Sequence, residues 1–191
     1  MELNAEQLAR GTNATVHDAM AFCDDLNPAM AQFRINTPMR VAAFLATLAI
    51  ESNHLTATEE SLYYRDAERL ADIYPRAFNS AAAATPYVKN PQALGKLLYQ
   101  GYWGRGLIQI TWLKNYQLAT AALGFDYVNF PELVKEAKHA SLTAAWFFAT
   151  NGCNEAADGG DITSVRRKVN GPKMMHLAEV TQQFNSNVTW L

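Results

Sequence analysis

Apolar residues recur along this chain at the three- and four-residue spacing of helices, and no stretch alternates strongly between apolar and polar positions. The strongest segment is NTPMRVAAFLATLAIE, Asn36–Glu51. Thr37 is placed to cap it and Pro38 suits its first turn. Val41, Phe44, Leu45, Leu48 and Ala49 then share one face, and Ala42, Ala43, Ala46 and Ile50 carry the apolar surface most of the way round. That pattern predicts a central, buried helix. NAEQLARG predicts a short helix before it, with Asn4 as cap, Gln7 at the capping-box position and Gly11 as the stop.

Further helices are predicted over Thr15–Phe33 with an interruption at Asn27–Pro28, over Asp66–Phe78 despite Pro75, and over Pro91–Tyr99. Four more follow at Thr111–Leu123, Ser141–Thr150, Ile162–Val169 and His176–Asn185, while Ser80–Gln92 reads as irregular. The expected fold class is all-α. There is no internal repeat, linker or low-complexity tract, so the 191 residues are expected to form a single domain.

Composition narrows the function. A chain of 191 residues with 49% hydrophobic and 18% charged residues can bury a substantial core. The net charge is −2 and no Lys/Arg cluster stands out, which argues against nucleic acid and anionic membranes as partners. No apolar run approaches the roughly 20 residues of a membrane span, so no stable membrane insertion is expected. The opening MELNAEQLARG lacks a basic segment followed by an apolar one, and cytoplasmic synthesis without a signal peptide is the expectation. Cys23 and Cys153 lack metal spacing and read as free thiols packed as small hydrophobes. The four histidines are scattered, so no metal site is expected.

The central helix ends on a carboxylate, Glu51, and a second acidic spot, Glu59–Glu60, follows. On one continuous helix nine residues would separate two such groups by about 13.5 Å. The intervening SNHLTAT is rich in residues that favour turns, so the helix should stop near Glu51 and the chain should fold back. That return could bring two carboxyls to the roughly 6.5–9.5 Å of an inverting glycosidase. Glu51 leaves an apolar helix at the negative end of its dipole, where the charged form is disfavoured, which suits a general acid. Glu60, among Thr58, Ser61 and Tyr63, has the polar setting of a base that activates water. Spacing alone leaves Glu59 as a competitor for that role.

A second motif, GYWGRGLIQITWLKNY (Gly101–Tyr116), places three glycines and two tryptophans beside Gln109, Thr111 and Asn115. Glycines allow backbone to approach a ligand, sugar rings stack on aromatic faces, and the neutral side chains suit hydroxyl and acetamido groups. A tight turn feeding a helix whose aromatics are core explains the motif equally well.

INTPMRVAAFLATLAIES, EESLYY, YWGRGLIQITWLKNY, AAWFFATNGCNEAADGGD and RRKVNG together resemble family 19 of the glycoside hydrolases. More closely, they resemble the short endolysins of phages and prophages of Gram-negative bacteria, whose relatives include plant chitinases. The resemblance extends from about Leu3 to Phe184. It implies a lysozyme-like helical fold with a substrate groove between two lobes, a large one of about 1–65 and 101–191 and a small one of about 66–100. It also implies Glu51 as acid, Glu60 rather than Glu59 as base, and Thr111 as the residue that orients water. Gln109, Asn115 and Asn170 are the implied sugar ligands, and Tyr64, Trp103, Arg105 and Arg167 complete the expected binding set.

Three departures stand out: Ile50 replaces the histidine that precedes the acid, NGPK replaces NGG after Val169, and the segment between Tyr99 and Gly104 is short. The first removes a polar neighbour from Glu51, and the last leaves one wall of the groove open. The implied activity is inverting, muramidase-type hydrolysis of the β-1,4 glycan strands of peptidoglycan, for host lysis, with no cofactor. The expected enzyme is a monomer that reaches the periplasm with the help of a holin. A chitinase acting on poly-N-acetylglucosamine is the alternative, and a non-catalytic glycan-binding module is a third reading that would not need both glutamates.

Overall fold

The computed structural model describes residues 1–191. Eleven α-helices follow in order: α1 (Ala5–Thr12), α2 (Val16–Gln32), α3 (Pro38–Glu51), α4 (Ala67–Ile73), α5 (Ala81–Ala84), α6 (Pro91–Tyr99), α7 (Leu113–Leu123), α8 (Ala137–Thr150), α9 (Cys153–Asp158), α10 (Ile162–Asn170) and α11 (Leu177–Val188). Single 3-10 turns cover Thr85–Tyr87 and Pro131–Lys135, and there is no β-sheet. The fold is all-α, as the apolar spacing predicts.

The chain divides into two compact units, one of Met1–Thr58, Arg105–Gln109 and Glu132–Leu191, the other of Glu59–Gly104 and Ile110–Pro131. The second therefore takes in α7 as well as residues 66–100. Packing decides this: Tyr116 of α7 is fully buried and its hydroxyl donates to the Trp103 carbonyl at 2.8 Å.

In the first unit α3 is the axis. Nine consecutive residues, Val41–Ala49, are buried, and α1, α9, α10 and α11 pack round it while α2 lies against α8. Thr37 caps α3 by accepting the Arg40 N–H, with Pro38 in the first turn. Gly11 does not stop α1, which runs on to Thr12 and ends at Asn13 in the left-handed region. Its role is close approach, because a Cβ at Gly11 would run into the Leu45 side chain. Nor does Pro28 break α2. Asn27 holds that turn by donating to the Cys23 and Leu3 carbonyls and accepting the Leu3 N–H, and buried Leu26, Ala29 and Met30 hold the helix in the core. Helix α9 and the turn at Pro131–Lys135 escaped the sequence reading because both are too short for a periodic signal.

The second unit has its own core of Leu62, Leu70, Phe78, Ala84, Leu94 and Trp103. Helix α4 ends at Ile73, two residues before Pro75 and well short of the predicted Phe78. The residue before a proline is pushed out of the helical region.

Candidate active site

Glu51 is the last residue of α3, and the chain turns sharply behind it. Asn53, His54 and Leu55 are all left-handed, with φ of 48°, 59° and 64°. Three successive non-glycine residues in that region are costly, and the surroundings hold them there. The Ser52 hydroxyl donates to Leu48 O at 2.6 Å and accepts the Leu55 N–H at 2.9 Å; the His54 N–H reaches Ala49 O at 2.7 Å. Leu55 is itself buried. The polar run SNHLT thus ends the helix sharply and fixes the carboxyl at its tip.

Glu51 is not left among apolar groups. Arg166, 2% exposed, extends from α10 and donates through Nη1 to Glu51 Oε1. The polar neighbour that Ile50 fails to supply comes from another helix. Arg166 is held in turn, since its Nε donates to Met175 O at 2.6 Å. The Met175 N–H donates to Asn170 Oδ1 at 2.7 Å. The two α10 side chains therefore grip the backbone of Met175 from both sides. The route to it begins at Gly171, whose φ of 79° and ψ of −169° suit glycine and precede Pro172.

Glu60 lies in the second unit. Its N–H donates to Gly104 O at 2.8 Å, and its side chain accepts the Gly104 N–H at 3.3 Å and the Tyr99 hydroxyl at 3.0 Å. Burial, and then the Glu60 carboxylate, push the Tyr99 phenol well above its usual range, so Tyr99 remains a donor at any working pH. Glu59 is engaged differently: it accepts the indole N–H of Trp103 at 2.9 Å. The neighbouring glutamates have separate tasks, Glu59 satisfying a core donor and Glu60 carrying oriented donors on both oxygens.

The glycine-rich motif resolves into both of the readings open at the sequence level. Trp103 is 5% exposed and belongs to the core, its ring against Gly95, where a Cβ would collide with the indole. It has no face for a sugar, contrary to expectation. Arg105 is wholly buried and pairs with Glu132 at 3.1 Å, so it braces the first unit instead of reaching for ligand. Gly106 packs 3.0 Å, measured from an added Cβ, from Val134. Gln109 is half-buried and donates to Gly106 O at 2.8 Å. Thr111 is half-buried, and its carbonyl accepts from Asn115 Nδ2 at 2.8 Å. Tyr64 pairs with Tyr74 through their hydroxyls at 3.2 Å.

The structure thus places Glu51, Arg105, Gln109, Arg167 and Asn170 in the first unit and Glu60, Tyr64, Trp103, Thr111 and Asn115 in the second. Arg167 is exposed, and its neighbour Arg166 is the residue that reaches Glu51. Helical register could have shown this. Arg166 is one turn on from buried Ile162 and beside buried Val165, whereas Arg167 is rotated off that face. Sequence reasoning also missed Tyr99 and Trp112, which is 54% exposed. No group of three or more His, Cys, Asp and Glu side chains is arranged to hold a metal ion.

The family pattern described as chitinase class I, glycoside hydrolase family 19, matches residues 12–165. The chain belongs to glycoside hydrolase family 19. Among its relatives, the acidic endochitinase SP2 of Beta vulgaris is 37% identical over 112 residues, 58% of this chain and 33% of that protein. Endochitinase EP3 of Arabidopsis thaliana is 32% identical over 135 residues, 69% of this chain and 41% of that one. The chain therefore spans less than half the length of these plant relatives. A crystal structure of a bacterial family 19 chitinase superposes with a TM-score of 0.66 at 22% identity, covering 96% of this chain and 93% of that one. This likeness confirms the helical family 19 fold.

Proposed function

We propose that this family 19 protein hydrolyses β-1,4-linked glycans of N-acetylated hexosamines with inversion, and that its substrate is the glycan strand of peptidoglycan. The observation that carries the reading is the contrast between the two carboxyls. Glu51 sits at a buried helix end against a single guanidinium, whereas Glu60 is held by a hydroxyl and a main-chain N–H. Two carboxyls in unlike settings suit unlike roles. Glu51 gives its proton to the departing glycosidic oxygen, and Arg166 stabilises the carboxylate that remains. Glu60 takes a proton from the attacking water, Tyr99 and Gly104 fixing its direction. Thr111 helps position that water, and no cofactor enters the chemistry.

The preference for peptidoglycan rests on the short link after α6. Gln100 ends the helix in the left-handed region and Trp103 is already in the core. Only a few residues are left to wall in a substrate, which favours a strand whose alternate sugars carry peptides. In this reading the enzyme acts as a monomer on the periplasmic wall once a holin-type partner has opened the membrane. Chitin is the second reading, favoured by the names of the relatives.

The deciding experiment compares purified sacculi with N-acetylglucosamine hexamer and follows the anomeric configuration of new reducing ends by NMR. Faster release from sacculi, with α-anomers first, is the expected result. Glu51→Gln and Glu60→Ala should each lower turnover by about 10²-fold or more. Faster cleavage of the hexamer would transfer the assignment to chitin, and β-anomers would remove the inverting mechanism.

A further inference from the structure

Trp112 is out of place by every rule of stability. It is among the larger side chains of the protein, and 54% of it is exposed. Its backbone has φ 73° and ψ 139°, a conformation that glycine adopts freely and residues with a Cβ rarely do. A glycine would serve the chain better there if only the fold were at stake.

The surroundings hold this conformation firmly. The Trp112 N–H donates to Tyr102 O at 2.7 Å, and the Trp112 carbonyl accepts the Asn115 N–H at 2.9 Å. The preceding carbonyl, of Thr111, is taken by the Asn115 side chain at 2.8 Å. The indole is therefore presented from a fixed base, and its position has a consequence. Its ring lies 5.1 Å from that of Tyr99, tilted by 57°. Tyr99 is the residue whose hydroxyl holds Glu60 at 3.0 Å. Trp112, Tyr99 and Glu60 form one continuous arrangement within the second unit, and only its outer member faces solvent broadly.

We infer that Trp112 is a sugar-binding platform, on which a pyranose ring of an N-acetylated hexosamine strand stacks beside the Tyr99–Glu60 pair. The C–H face of such a ring is apolar and faintly positive, which matches the negative face of an indole. Strain at the backbone, held by three main-chain and side-chain bonds, keeps the indole out where it can be covered. The tilted contact with Tyr99 registers the bound sugar against the residue that orients Glu60. This inference rests on the glycan-hydrolase reading above and adds to it the residue that sites the sugar.

The test separates the two. Binding of N-acetylglucosamine tetramer and of a disaccharide-peptide strand fragment from sacculi is measured by calorimetry in a Glu51→Gln background, with and without Trp112→Gly and Trp112→Phe. Glycine fits the observed backbone, so Trp112→Gly should unfold at the same or a higher temperature while binding at least fivefold more weakly. Phenylalanine keeps a smaller face and should lose about two- to threefold. A purely structural role for Trp112 predicts the opposite pattern, a lowered unfolding temperature with affinity kept, and a Trp112→Gly affinity within fivefold of the parent for both probes would overturn the platform. Preference of the parent for one probe identifies which glycan it serves. If wild-type protein hydrolyses neither glycan and the parent binds neither, the functional reading itself falls, and the platform with it.

Discussion

Arg166 of α10 bridges two points that the sequence separates widely, donating to the Glu51 carboxylate at the end of α3 and to the Met175 carbonyl in the loop before α11. The guanidinium fork makes both bonds at once, from Nη1 and Nε. A lysine ammonium is one compact group and cannot span the same two acceptors in that fixed geometry.

Arg166→Lys is therefore expected to fold but to lose about tenfold or more in kcat, with KM little changed. Arg166→Met should in addition cost about 3 kcal/mol, because it leaves a largely buried carboxylate unpaired. Steady-state kinetics and urea unfolding check both. A kcat for Arg166→Lys within twofold of wild type would show that Glu51 does not depend on the bridge.

Asn170 is spent on the backbone, accepting the Met175 N–H at 2.7 Å. Asn170→Ala releases one side of the grip on Met175 and so loosens Arg166. The expected signature is a fall in kcat greater than any rise in KM, with about 1–3 kcal/mol lost from stability. A pure rise in KM would make Asn170 a ligand for substrate alone, the role that the family resemblance implies.

The two neighbouring glutamates should separate cleanly. Glu59→Ala leaves the buried Trp103 indole N–H without this partner and should cost about 1–3 kcal/mol of stability, with activity kept below the melting temperature. Tyr99→Phe should do the reverse. It removes one donor from a partly exposed carboxylate, which water can replace, and should slow turnover roughly tenfold or more with little thermal effect. Thermal melts paired with kinetics at 25 °C would expose any exchange of these roles.

Glu132 sets an expectation for acid stability. Burial pushes its carboxyl up, but Lys135 and Arg105 outweigh this and hold it below the usual glutamate range. A depressed carboxyl stabilises the fold at pH values above the ordinary glutamate range, and the contribution disappears as pH falls through the folded value. Glu132 is half exposed, so the effect is modest, about 1 kcal/mol. Glu132→Gln should be less stable than wild type at pH 7, and the difference should shrink steadily below about pH 4. A gap that stayed constant from pH 7 to pH 3 would mean that the charge plays no part.

The sequence by itself determined the elements whose signal is local. The α3 helix, its Thr37 cap and its end at Glu51 follow from apolar spacing and turn-forming residues adjacent in the chain. The family assignment follows likewise from motifs read in order. Only the tertiary structure decided which of two like residues does what. Trp103 and Trp112 share one motif, yet one fills a core against Gly95 and the other stands in solvent, because packing against α6 was not written in the motif's own spacing. Arg166 and Arg167 are adjacent, and the rotation of α10 chose between them. Glu59 and Glu60 point to different partners for the same reason. Such choices depend on which distant surface a side chain meets, and that is settled by burial and hydrogen-bond satisfaction in three dimensions.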